Sequence, residues 1–166
     1  MATFDSMNSL TIDCQIAAGD WEPLNQCEAI AQTAIGAVID ILDFPLPDDS
    51  DVSIVFSNDA AVKELNAHWR EQDKPTNVLS FANNDGVDRK EWLPLLGDIV
   101  LARETVSREA DDQNKSTKDH LTHLIMHGFL HLLGFDHLTD EEAEIMESLE
   151  VRALAKLGIA DPYAAQ

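Results

Sequence analysis

The chain has 166 residues, of which 45% are hydrophobic and 25% charged. That is enough for one substantial core and is the balance of an ordinary globular protein, so one domain spanning 1–166 is expected. No apolar run reaches the roughly 18–20 residues that cross a bilayer, and Met1 to Ser9 lack the basic stretch and apolar core of a secretory leader, so a cytoplasmic protein with no membrane partner is expected. Eleven Lys and Arg against thirty-one Asp and Glu leave a net charge of −20, which repels a polyanion at long range and weighs against nucleic acid on charge alone.

Leu10 to Ile16 alternates apolar and polar residues, the mark of a strand with one buried face. From Trp21 to Leu42 the period becomes helical, with Ile30, Ala34, Val38 and Ile41 on one stripe, and Pro45 and Pro47 end it. Asp51 to Phe56 is a second strand, and Ser57 or Asn58 caps a helix carrying Val62, Leu65 and Trp69. Val78 to Phe81 and Asp98 to Leu101 are short β-type runs, and Arg103 to Asp112 is a polar, acidic helix. Ser116 with Asp119 opens a long helix that runs to Leu133 and stops at Gly134. Thr139 with Glu142 opens a last helix with Ile145, Leu149 and Leu154 on its stripe. About four strands and five helices, one small sheet packed with helices, predict an α+β (mixed α/β) fold whose strand order stays open. Cys14 and Cys27 have no metal-binding spacing and read as reduced, buried thiols.

Five of the six histidines lie between His120 and His137. The segment from His127 to His137 reads H-G-F-L-H-L-L-G-F-D-H. His127 and His131, four residues apart, share a helix face and suit one zinc ion. Gly134 can turn the chain back so that His137 becomes a third ligand, leaving a coordination position open as catalytic zinc requires. The spacing is that of the metzincin peptidases, H-E-x-x-H-x-x-G-x-x-H, but Gly128 stands where their general-base glutamate belongs. Ligand geometry is kept and the peptidase base is gone. The bland alternative is three satisfied or exposed histidines. Against it, the rest of the helix (Leu121, Leu124, Ile125, Phe129, Leu130, Leu132, Leu133) is apolar, and burying unpaired imidazoles is costly. His120 and His123 either line the cavity and support the ligands or simply pack; Asp136 either orients a ligand or only shapes the turn.

On these residues the chain resembles the YbeY family, from about Asp51 to Leu154. Two further blocks carry the likeness: L-N-A-H-W-R-E-Q-D-K-P-T-N-V-L-S-F from Leu65 to Phe81, and L-G-D-I-V-L from Leu96 to Leu101. The resemblance implies a zinc-dependent, single-strand-specific endoribonuclease in ribosomal RNA maturation, working on or near the small ribosomal subunit. It also implies that Arg70 serves activity beside the metal, where a guanidinium would grip phosphate oxygens; the alternative for Arg70 is a solvated cation at a helix C-terminus. Asn77 stands where the family usually has Asp, so no catalytic role is assigned there. Trp69 replaces a usual Tyr and is expected to keep its packing. Asp98 is read as structural or as lining the site.

Three functions compete. The first is the endoribonuclease, with one Zn2+ held by His127, His131 and His137, Arg70 as the catalytic cation, and RNA and the small subunit with its basic proteins as partners. The second is a metallohydrolase with a non-RNA substrate, which the charge favours. The third is a metal-binding ribosome assembly factor without catalysis, whose acidic surface would dock onto basic ribosomal proteins.

Overall fold

The computed structural model describes residues 10–72, 74 and 76–164. Met1 to Ser9, read above for a leader, and Asp73 and Pro75 of the second block lie outside the described residues. The elements are β1 (Thr11–Ile16), α1 (Leu24–Ile41), β2 (Asp51–Ser57), α2 (Asp59–Arg70), β3 (Val78–Ala82), a single 3-10 turn (Arg89–Glu91), β4 (Leu95–Ala102), α3 (Arg103–Asp112), α4 (Thr117–Leu132) and α5 (Asp140–Lys156). The fold is α+β, as the sequence leads one to expect. Among the described residues no helix is long and apolar enough to cross a membrane.

Capping sets most helix starts. Asn58 accepts the Ala61 amide at 2.9 Å, Ser116 the Asp119 amide at 3.0 Å and Thr139 the Glu142 amide at 3.1 Å. The sheet order is β1-β2-β4-β3, with β1, β2 and β4 parallel and β3 antiparallel to β4. β3 is therefore an edge strand.

Alternation sorts the side chains onto two faces. Val52, Ile54, Phe56, Ile99 and Leu101 join the main core with α1, α4 and α5. Leu79 and Val100 turn the other way and pack with Val62 and Ala102, beneath α2. Successive residues of β3 thus serve opposite sides, with Phe81 toward α2 and Ser80 against Gly128 of α4.

Two expectations need correction. β4 is eight residues long rather than four, because a register irregularity opposite Asp51/Val52 and a positive φ at Gly97 (+142°) interrupt its alternation. The buried stripe of α5 is shifted at its start: Leu154 is buried and Leu149 packs against the core as expected, but Ile145 is 51% exposed and Met146 and Glu150 face inward in its place. A carboxylate in that stripe hides the true face from a hydrophobicity pattern.

Gly97 marks where β4 meets β3 and α4 most tightly. A Cβ there would lie 2.2 Å from the Phe81 carbonyl oxygen and 2.9 Å from Leu132 Cδ2. Gly97→Ala is expected to cost at least about 2 kcal/mol, from steric conflict and a disfavoured φ, read as a lower urea midpoint at unchanged slope.

Candidate metal centre

α4 is sunk into the protein: of its sixteen residues, eleven are buried, including Leu121, Ile125, Phe129 and Leu132. Its histidine face reaches the surface only near its C-terminal end, where His127 and His131 are partly exposed. The helix closes through a two-bond turn. The Gly134 amide donates to His131 O at 3.0 Å and the Phe135 amide to Leu130 O at 3.1 Å, with Gly134 at φ +95°. That turn carries His137 back over the helix end, its ring 5.6 Å from that of His127 and 5.1 Å from that of His131. One nitrogen from each of the three lies within 4.8 Å of the other two, a cluster that can hold a metal ion.

The protons on these rings test the fit. His127 Nδ1 lies 2.8 Å from Glu150 Oε2, and His131 Nδ1 lies 3.0 Å from the Phe135 carbonyl oxygen. A carbonyl only accepts, as does an ionised carboxylate, so each Nδ1 is the donor in its contact, and a neutral ring then keeps its lone pair on Nε2. Burial alone would raise the Glu150 carboxyl, but hydrogen bonds from His123 and His127, the electrostatic pull of the His127 ring and a hydrogen bond from Tyr163 outweigh it and hold the group at about 2. The two Nε2 atoms face each other at 3.1 Å. Two lone pairs at that distance repel, and the separation suits a shared cation bonded to each nitrogen at roughly 2.0–2.1 Å. Burial, with His127 beside it, pushes the His131 imidazole down to about 4, so it is neutral at pH 7 as a ligand must be. The donor set fits a metal ion.

The cluster opens into a cleft of about 700 Å3 whose other wall is the edge strand β3, lined also by Arg70, Asp85 and Asp136. Arg70 Nη2 donates to Ser80 O at 2.6 Å, and its guanidinium lies 5.4 Å from the Phe81 ring centre. It is the only Lys or Arg among the described residues lining this cleft. Gly128 explains the missing glutamate: a Cβ there would sit 3.0 Å from both Ser80 Oγ and Ile99 Cγ2. The helix approaches the sheet closely enough here that any side chain would crowd Ser80 and Ile99.

The remaining sequence candidates divide. His123 bonds Glu150 and His120 bonds Glu109 (2.8 Å), and both line a second cavity of about 490 Å3 that touches the cleft at His127 and Asn77. Asp136 accepts the His137 amide at 2.8 Å and stands 4.0 Å from His131 Nδ1, so it shapes the turn. Asp98 is exposed on β4 and outside the cleft lining. Asn77 donates to Glu109 Oε1 at 2.9 Å, a contact that two carboxylates could not share. Trp69 does not keep its packing: it is 64% exposed, edge-on to His68, because α2 runs past the small core beneath it. Burial, with Glu28 beside it, pushes the Cys14 thiol up to about 12, and burial also raises Cys27, which suits unreactive thiols. Glu150 and Tyr163 were not singled out by the sequence. The available signal was a glutamate at a core position of α5, four residues after Met146 and four before Leu154.

Gly128→Glu, which restores the peptidase-like motif, is expected to destabilise the fold by about 2 kcal/mol or more through overpacking against β3 and β4, without creating a peptidase. A thermal melt and a peptide-hydrolysis assay check both halves.

Comparison with known proteins agrees with this architecture. The family model described as Endoribonuclease YbeY matches residues 15–158. A protein named Endoribonuclease YbeY from Agrobacterium fabrum is 48% identical over 165 residues, covering 96% of this chain and 98% of its own. One of the same name from Sinorhizobium fredii is 44% identical, covering 96% of this chain and 95% of its own. The solution structure of TM1509 from Thermotoga maritima shares the fold, with a TM-score of 0.54 at 22% identity, covering 93% of this chain and all of that one. Three histidines converging from one helix and its closing turn, with matches running almost end to end, lead to one conclusion: the chain belongs to the Endoribonuclease YbeY family.

Proposed function

We propose that this chain is a zinc-dependent, single-strand-specific endoribonuclease of the cytoplasm. In this reading it acts in ribosomal RNA processing, at small-subunit 3′-end maturation and in ribosome quality control, with residues 1–166 working as one hydrolase domain. The observation that carries the reading is the facing pair of Nε2 atoms on His127 and His131, 3.1 Å apart, beside His137 and in one cleft with Arg70. The relatives named endoribonucleases supply the reaction class.

His127, His131 and His137 would hold zinc through three nitrogens, a set that leaves the metal open to substrate. Bound there, zinc supplies Lewis acidity that polarises a phosphoryl oxygen and makes water a better nucleophile. Arg70 is held at the cleft wall by Ser80 O and the Phe81 ring. One of its five donors is committed to Ser80, and the others are offered to phosphate oxygens as charge builds on them. Position 128 supplies no proton acceptor, since glycine stands there and a Cβ would already be crowded.

The −20 charge bears on delivery. One cleft cation cannot offset long-range repulsion from RNA, so contacts with basic proteins of the small subunit would bring the enzyme to its substrate. The same charge favours a second reading, an assembly factor that docks without cutting. An enzyme that bound isolated RNA as tightly as ribosomal subunits would argue against protein-mediated delivery.

Protein purified without added metal is expected to carry about one zinc per chain, with His131→Ala losing it. Arg70→Ala is expected to keep the zinc but cut single-stranded RNA roughly 10²–10³-fold more slowly. Well-folded wild type that neither contains nor binds zinc would sink the proposal. Zinc-loaded protein with no activity on RNA would leave the assembly factor.

A further inference from the structure

We infer that Glu150 is the positioning residue of this centre: its acceptor-only carboxylate fixes the tautomer of His127 and keeps the Nε2 of that ring free of a proton. The inference rests on the metal-centre reading above and adds to it a residue of α5, a helix that supplies no ligand.

Glu150 lies midway along α5 between Met146 and Leu154, with its side chain 1% exposed. A carboxylate at such a place is costly unless hydrogen bonds saturate it. Three donors converge on it. His127 Nδ1 donates to Oε2 at 2.8 Å, the Tyr163 hydroxyl donates to Oε1 at 2.6 Å, and His123 Nε2 donates to Oε1 as well. Two imidazoles and a phenol are not fixed cations, and each offers the carboxylate a hydrogen.

The consequence falls on His127. An isolated neutral histidine prefers its hydrogen on Nε2, the atom that here faces His131 at 3.1 Å. Glu150 reverses that preference by holding the hydrogen on Nδ1. For His131 the same task falls to a backbone carbonyl, Phe135 O, at 3.0 Å. The two facing rings are thus set by different means, and only the one on His127 depends on a side chain. His123 and Tyr163 occupy Oε1 and leave Oε2 to His127. His123 has no partner for its own Nδ1, which fits a donor to Glu150 and not a ligand.

A glutamine in this place has one accepting oxygen and an NH2 that only donates. It cannot receive donors on both ends. Whenever the NH2 faces His127, the ring must put its hydrogen on Nε2; when the oxygen faces it, the neutral acceptor leaves Nε2 less basic.

Two measurements decide the matter. The first is nitrogen-15 NMR of the imidazoles in metal-free wild type, where His127 is expected with Nδ1 protonated and Nε2 bare. The second is the zinc dissociation constant by chelator competition, expected to rise about 10–100-fold in Glu150→Gln. A His127 ring protonated on Nε2 in the metal-free wild type, or a folded Glu150→Gln with unchanged zinc affinity, would overturn the inference. Should the variant not fold, the wild-type spectrum decides alone. Failure of the metal-centre reading looks different: wild type itself then binds no zinc, whichever tautomer His127 shows.

Discussion

The close seating of α4 on the sheet governs this molecule. At Gly128 the helix comes within van der Waals limits of Ser80 and Ile99, so near that a Cβ would already be crowded. That approach buries most of the helix and brings the C-terminal part of its histidine face out beside β3. Polar rings on a buried helix must find partners. Each does: His120 on Glu109, His123 on Glu150, His127 on Glu150, and His131 on the carbonyl of its own closing turn. The nitrogens left over on His127 and His131 are aimed at one another, and His137 arrives beside them.

The same seating accounts for the chemistry that is missing. A peptidase of matching spacing needs a glutamate where this helix carries a crowded glycine, so the ligand geometry survives without the base. In its place the cleft has Arg70, which reaches it from the end of α2 on the other side of β3 and is tethered to Ser80, the residue that crowds Gly128. The edge strand thus has two roles: it holds the helix down on one face and a guanidinium on the other. A metal beside a guanidinium is the arrangement that an anionic, oxygen-rich substrate asks for.

Acidic charge shapes the rest of the surface. Asp111 and Asp112 on α3, and Asp140, Glu141 and Glu142 at the start of α5, are exposed. The acidic first turn of α5 also favours its own helix dipole. Two carboxylates face imidazoles: Glu150, which is buried, and Glu109, which is half-buried. Charge summed over the chain therefore says little about the centre, whose electrostatics are set by a handful of short hydrogen bonds.

Much of this was legible because the signals are local. The caps at Asn58, Ser116 and Thr139, the closing turn at Gly134 and the i, i+4 histidine pair all depend on residues within a few positions of one another. Helix geometry alone converts such spacing into shape. What the sequence by itself determined is thus the helices, the strands in outline, and three histidines able to meet. Tertiary structure decided the strand order, the exposure of Ile145 and Trp69, the crowding at Gly128, and the docking of Glu150 on a histidine 23 residues away. Those depend on which surfaces come together, and packing between distant segments leaves no periodic trace in either one.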